Sequence, residues 1–383
     1  MAWWTPKWTP TKPAEPGETK MAGSFLSLTG PAGPSWSRRS FESLVAEGYL
    51  KNPVVYRSVR LIAESAARIP FSIEQRGARL KAHPLLDLLG RPNSRQSGTE
   101  LLEQAFIWLE TSGDVFFEAS LLPDGVGALH ALRPDRVRPL LGPDGYPEAY
   151  EHTVAGRTRR LRPGTSPVDQ VRHVMLQHPL DDHHGFSPLE AALRSLDLHN
   201  GATAWNKALL DNAARPSGAL VYSSGGTLTE SQFRRMKAEL EEAFQGIANA
   251  GRPLVLEGGL DWKSMALSPQ EMDFVELKHI AAREIALAFG VPPMLLGIPG
   301  DNTYSNLAEA NRAFWRQTVV PLARRMADAL GTWLGPAFSG ARLVLDLDNV
   351  EALAEDRAAL WARVTAADFL DAAEKRRLVG LET

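Results

Sequence analysis

The stretch SPQEMDFVELKHIAAREIALAFGVPPMLLG, residues 268–297, decides how the chain is read. Ser268 with Pro269 behind it opens a helix, because proline is tolerated in a first turn. Met272, Val275, Ile280 and Ala281 then recur at helical spacing. The helix ends at Gly290, and Pro292-Pro293 cannot continue it. Gly297, Pro299 and Gly300 delay the next helix. A short polar loop is left at Asp301, Asn302, Thr303, Tyr304 and Ser305. Asn306 to Leu334 reads as one long helix with Pro321 near its middle, where it should kink or split.

Working backwards, Thr229 caps a helix with Gln232 three residues on, running to about Phe244. Between the two helices, Gly246, Gly251, Gly258 and Gly259 mark an irregular insert. The pattern is a helical arm with a tip, and Gly258-Gly259-Leu260-Asp261-Trp262 places an aromatic there. The arm is charged: Arg234, Arg235 and Lys237 precede Glu239, Glu241 and Glu242, and Glu271, Asp273 and Glu276 precede Lys278 and Arg283. In an isolated monomer this is a solvated face with i,i+4 pairs.

Before the arm the chain is mixed. Asn52 caps a helix with Pro53 at its first position, and Pro70 stops it. Phe71 to Glu74 is strand-like. Thr99 to Thr111 is amphipathic. Val115 to Leu121, Leu129 to Leu141, Ala149 to Leu161 and Val168 to Leu176 read as strands. Ser187, followed by Pro188 and with Glu190 at the third position, caps a helix running towards Ala213. After the arm, a strand at Arg342 to Leu347 precedes two short helices, about Ala354–Ala366 and Ala367–Val379. The fold class is α+β.

Residues 1–40 read as a disordered tail rich in proline and tryptophan. Four of the ten tryptophans lie there, at positions 3, 4, 8 and 36. Either the tail docks on a neighbouring chain or it anchors on its own domain. Nothing in it resembles a signal peptide.

Composition narrows the function. Of 383 residues, 44% are hydrophobic and 23% charged, which suits a globular chain with a real core. No cysteine is present, which excludes disulfides, cysteine metal sites and thiol catalysis. The prolines that break residues 285–300 exclude a membrane-spanning helix there. A formal net charge of −3 argues against a protein that grips nucleic acid tightly. No phosphate-cradling G-x-x-x-x-G-K-S/T, no H-E-x-x-H and no G-x-S-x-G occurs. Gly125-Val-Gly127 lacks the third glycine of a dinucleotide loop. One cluster could carry chemistry: His173, His178, Asp181, Asp182, His183 and His184. Imidazole and carboxylate together are the ligands of a hydrolytic metal site, so a metal-dependent hydrolase is the alternative reading. The spacing matches no metal motif, and a solvated loop explains the same residues. No cofactor or catalytic residue is otherwise indicated.

Five blocks, in order, carry a resemblance: NPVVYRSVRLIAESAARIPFSI, HPLLDLLGRPNS, TSGDVFFEAS, HVMLQHPLDDHHGFSPLEAAL and the opening stretch with its I-A-x-x-F-G-V-P-P-x-x-L-G run. Together, from about Asn52 to Leu334, they resemble phage portal proteins of the HK97 type. The resemblance implies a ring of about twelve subunits at one capsid vertex, through which DNA is packaged and ejected and to which the tail connects. It implies a wing at 41–228, stem helices at 229–245 and 268–290, a clip at 246–267 and a channel loop at 291–305. A spine helix with a return to the wing follows at 306–348, then a short helical crown at 349–383. Implied partners are further copies of the chain, the major capsid protein, the terminase motor, a head–tail adaptor and double-stranded DNA read without sequence preference. No membrane is involved. The implied setting is a virion or phage-like particle, phage or gene transfer agent, assembled in the bacterial cytoplasm. Duplex DNA carries about one negative charge per 1.7 Å of axis, so a mildly acidic ring would let it slide. The missing phosphate loop agrees, since the motor would be a separate chain.

Overall fold

Asn52 starts the first long helix as its neighbours predict. The computed structural model describes residues 40–75, 78–123, 125–164, 168–211, 218–222, 229–232, 234–235, 238, 260–264, 274–300 and 304–380. The proline- and tryptophan-rich tail lies outside these residues. After a short helix α1 (Phe41–Leu44) that runs into a π turn, Asn52 Oδ1 accepts from the amides of Val54 and Val55. That caps α2 (Pro53–Ala67). Asn52 Nδ2 lies 3.0 Å from His199 Nδ1 and 2.9 Å from Asn200 Oδ1. Burial pushes the His199 pKa down, and Lys278 adds to it. A neutral imidazole can accept at Nδ1, so the cap is locked to a distant helix.

The rest follows as β1 (Phe71–Gln75), β2 (Ala78–Leu80), α3 (Pro84–Gly90), α4 (Gly98–Ser112), β3 (Asp114–Leu122) and β4 (Gly125–Leu132). Next come β5 (Val137–Leu141), β6 (Pro147–Val154), β7 (Arg157–Leu161), β8 (Val171–Met175), α5 (Pro188–Ala191), α6 (Leu193–Asp211), β9 (Gly218–Tyr222) and β10 (Leu260–Ser264). The chain closes with α7 (Phe274–Ala288), α8 (Tyr304–Phe314), α9 (Val320–Leu334), β11 (Arg342–Leu345), α10 (Ala354–Ala366) and α11 (Ala372–Leu378). The strands form four antiparallel sheets among the described residues, ordered β11-β1-β2, β4-β3-β8, β5-β6-β7 and β9-β10.

The main core joins α2, α4, α9 and the sheet of β3. Val55, Val59, Ile62 and Ala66 are buried on one face of α2, with Met326, Leu330 and Leu334 of α9 in the same cluster. Burying side chains of this size stabilises by about 1.5–3 kcal/mol each. Trp333 reaches Phe117 at a ring distance of 6.4 Å and donates Nε1 to the Asp169 carbonyl. A second, smaller core holds Phe116, Leu132, Val137, Tyr150, Leu161 and Val171.

Several elements differ from the sequence reading. The runs 129–141 and 149–161 are each two strands. A 3-10 turn, Pro134–Arg136, splits the first, and Ala155 and Gly156, both at positive φ, turn the second. The helix from Ser187 breaks at Ala192 into α5 and α6. Ser187 Oγ accepts from Leu189 N but donates to the Glu110 carbonyl, so the cap answers to α4 as well. The long helix begins at Tyr304 and divides at Pro321 as expected, but through a π turn, Trp315–Val319. Proline offers no N–H to the carbonyl four residues back, and Val320 N bonds Trp315 O five back instead. The last helix starts only at Ala372, capped by Asp371 with Glu374.

Glu110 stands inside α4, 4% exposed, and burial raises its pKa to about 8. The folded protein therefore holds this proton where the unfolded chain, with the ordinary value of 4.5, has lost it. The stability this contributes is complete below the unfolded pKa and lost as pH rises through about 8. Denaturant unfolding should show stability falling by about 4 kcal/mol between pH 5 and pH 8. Glu110→Gln should remove that slope. An unchanged slope in the variant would mean the carboxyl is not held neutral.

Candidate assembly and channel surfaces

Helix α7 has two opposed faces. Ala281, Ala282, Ile285 and Ala286 are buried. At about 100° per residue, Glu276, Ile280, Arg283 and Leu287 make one stripe on the other side. Ile280 is 46% and Leu287 78% exposed, so two large apolar side chains face outward. Glu276 and Arg283, both expected stem residues, alternate with them. Glu271 and Asp273, the other two, lie outside the described residues. At its start, Phe274 stacks on Trp205 of α6 at 4.2 Å.

The loop after α7 has a fixed base. Gly290 at φ 64° ends the helix, and its carbonyl accepts from Thr318 Oγ1 at 2.7 Å. Pro293–Leu296 forms a 3-10 turn. Ile298 packs with Ala282 and Ala286, and Arg283 Nη2 donates to the Pro299 carbonyl. A charge-reversing change at Arg283 would therefore disturb this loop within its own subunit. Asp301, Asn302 and Thr303 lie outside the described residues. Tyr304 and Ser305, expected in the loop, are the first residues of α8.

The aromatic expected at the tip sits elsewhere. Leu260, Asp261 and Trp262 belong to β10 and pair in register with Tyr222, Val221 and Leu220 of β9. Trp262 is thus at mid-strand and not at a turn. Gly258 and Gly259 lie outside the described residues. No local pattern links residues 218–222 to 260–264, so the pairing was not legible.

The histidine-rich loop is held by local bonds. His173 Nε2 lies 2.7 Å from Asp114 Oδ1, which also accepts from Gly185 N at 2.8 Å. The His173 ring stacks on Phe116 at 4.2 Å. Asp181 accepts from the amides of His183 and His184 and pairs with His184 Nδ1 at 3.0 Å. The His183 amide leads among the causes that push the Asp181 pKa down to about 2. His178 Nδ1 accepts from Leu180 N. These bonds shape a turn and point the rings at different partners. Among the described residues, no group of three or more histidines, cysteines or carboxylates could hold a metal. Nor is any helix among them long and apolar enough to cross a membrane.

A sequence model of the phage portal protein family matches residues 53–380. The chain belongs to the phage portal protein family. An uncharacterised protein of Rickettsia bellii is 40% identical over 341 residues, 88% of each chain. A chain from the neck of a native gene transfer agent particle, computed with C12 symmetry, superposes with a TM-score of 0.69 at 49% identity, covering 91% of this chain and 96% of that one. An HK97 family phage portal protein from Corynebacterium diphtheriae shares the fold, with a TM-score of 0.60 at 15% identity over 83% of this chain and 98% of that one. The α+β fold is thus portal-like, and a portal protein is a structural component and not an enzyme. That removes the hydrolase alternative, in line with the structural bonds of the histidine loop.

Proposed function

We propose that this portal protein forms a ring of about twelve copies in the neck of a gene transfer agent particle, at one capsid vertex. The ring is the conduit for packaging and ejecting DNA and the point where head meets tail. The observation that carries this is the likeness, over nearly the full chain, to a neck protein computed with C12 symmetry. The outward stripe of α7 supports it, because a stem helix with apolar residues on both faces needs a neighbour. Further partners are the major capsid protein, the terminase motor, a head–tail adaptor and duplex DNA in transit. Assembly takes place in the bacterial cytoplasm. Negative-stain images of the purified protein should show rings with a central hole. Monomers alone, at every concentration and in low salt, would overturn the ring.

The regions then take roles. Residues 41–228 form the wing, 229–245 and 268–290 the stem, 246–267 the clip, 306–348 the spine and return, and 349–383 the crown. The strand pairing of 260–264 with 218–222 roots the clip in the wing. Residues 258–262 would then meet the motor or the adaptor from a braced strand. The loop at 291–305 faces the channel, with Asp301 repeated around the ring as a negative collar. Its pinned base favours this, since a loop fixed at Gly290 and Pro299 can hold a constant radius. Such a collar touches DNA without reading bases. Asp301→Lys should raise DNA affinity in a salt-dependent way and lower nuclease-protected DNA per particle, with ring yield unchanged. Replacing residues 300–305 by a glycine linker should lower DNA retention. Normal packaging in both variants would place the loop away from the axis.

A further inference from the structure

The sheet β5-β6-β7 has a buried face and a cationic one. Val137, Tyr150 and Leu161 point into the smaller core. Side chains alternate along a strand, so their neighbours point outward. The register sets Arg138 beside Glu151 and Glu151 beside Arg160, three residues in one outward row. Arg160 Nη2 lies 3.7 Å from Glu151 Oε1. Arg136, Arg138, Arg157 and Arg162 are exposed and make no ion pair among the described residues. Arg159 differs, because its guanidinium forks onto the Glu118 carboxylate of β3. The same sheet exposes large apolar groups. Tyr146 is 73% and Leu141 50% exposed.

Charge alone would have a simple explanation, since edge strands carry charges to avoid pairing with other chains. That device has no use for exposed Tyr146 and Leu141. Phosphate contacts need no apolar neighbours either. Arginine beside tyrosine and bare aliphatic carbon is instead the composition of protein interfaces. The sheet also has a free side. β7 is its outer strand, and no strand pairs along its far edge among the described residues. An edge of this kind accepts an extended chain as an added strand, with backbone hydrogen bonds giving affinity and alternate side chains specificity. The alternate side chains of such a strand would meet Arg160 of β7 and Arg162 just beyond it, which repel cations and suit carboxylates.

We propose that β7 and its arginine face dock an extended, carboxylate-rich segment of another protein as a fourth strand of the sheet. The test uses the full chain and a labelled, end-blocked peptide of four Glu-Val repeats, followed by fluorescence anisotropy. The peptide should bind, and binding should weaken with salt. Combined Arg160→Gln and Arg162→Gln should weaken it by about fivefold or more, the sum of two exposed ion pairs, at an unchanged unfolding midpoint. N-methylation of alternate peptide bonds should weaken it as much. Should the double variant fail to fold, Arg162→Gln alone, one residue beyond the strand, should still give about a threefold loss. No binding of the peptide, or equal binding by these variants, overturns the proposal. So does full binding of the N-methylated peptide. A short DNA duplex that displaces the peptide and loses affinity in the double variant would assign the face to nucleic acid instead.

Discussion

Gly185→Ala is expected to abolish the folded protein. A Cβ at position 185 would lie 2.0 Å from the carbonyl oxygen of Gly113 and 2.5 Å from its carbon. Neither partner can yield. Gly113 stands at φ 81°, where it ends α4, and its carbonyl accepts from Leu176 N. Gly185 N donates to Asp114 Oδ1, the oxygen that also faces His173. Separating the two backbones breaks these bonds together inside a buried corner. The cost should exceed about 4 kcal/mol, a large share of the roughly 5–15 kcal/mol available to a folded domain. Soluble yield and the thermal midpoint measure it. Gly201→Ala is the control: position 201 lies in α6 with nothing within 4 Å of an added Cβ. It should stabilise by about 0.5–1 kcal/mol. A Gly185→Ala protein that unfolds at the original temperature would show that the contact is looser than the structure has it.

Leu287→Glu is expected to leave the monomer folded and the ring unassembled. The side chain is 78% exposed on α7, so its own subunit loses little. In the proposed ring the stripe of Ile280 and Leu287 would be covered by the next copy. Burying an unpaired carboxylate there costs several kcal/mol per interface, and symmetry repeats the cost at every contact. Leu287→Met should assemble normally, because volume and polarity are kept. Mass photometry with circular dichroism separates assembly from folding. Rings at the original yield in Leu287→Glu would remove α7 from the subunit contact.

Local rules made much of the fold legible. Asn52 with Pro53, Thr229 with Gln232, the stop at Pro292 and the division at Pro321 each follow from one residue's chemistry. Thr229 Oγ1 and Gln232 Oε1 do hold each other's amides. What escaped was non-local. Antiparallel pairing of β1 with β11 joins residue 71 to residue 345, and β9 joins β10 across residues 223–259. The meeting of Gly113 with Gly185 is equally distant in sequence. A glycine that admits another backbone looks, in one sequence, like any turn glycine. Of the candidate site, Glu276 and Arg283 fall on the outward stripe. Ile280 beside them was read only as helical period and Leu287 not at all, because spacing alone cannot tell the buried side of a helix from the one left open. The loop expected to run to residue 305 ends earlier for the same kind of reason: Tyr304 and Ser305 are polar enough for a loop, yet sit well in a first helical turn.

The π turn at Trp315–Val319 sets how α8 and α9 are geared to each other. A wide turn takes up one extra residue, and each residue of a helix is worth about 100° of rotation. The side chains of α8 are therefore out of phase with those of α9 by about a quarter turn, although the backbone runs on. α9 keeps Val320, Ala323, Ala327, Leu330 and Leu334 on the fixed body of the subunit. α8 is free to aim a different bearing surface elsewhere, with Arg312 meeting Glu355 of α10. One rod thus carries two clock positions, and Pro321 sets the offset between them. The offset stays fixed, because the step between them is built into the hydrogen-bond count and not into a hinge.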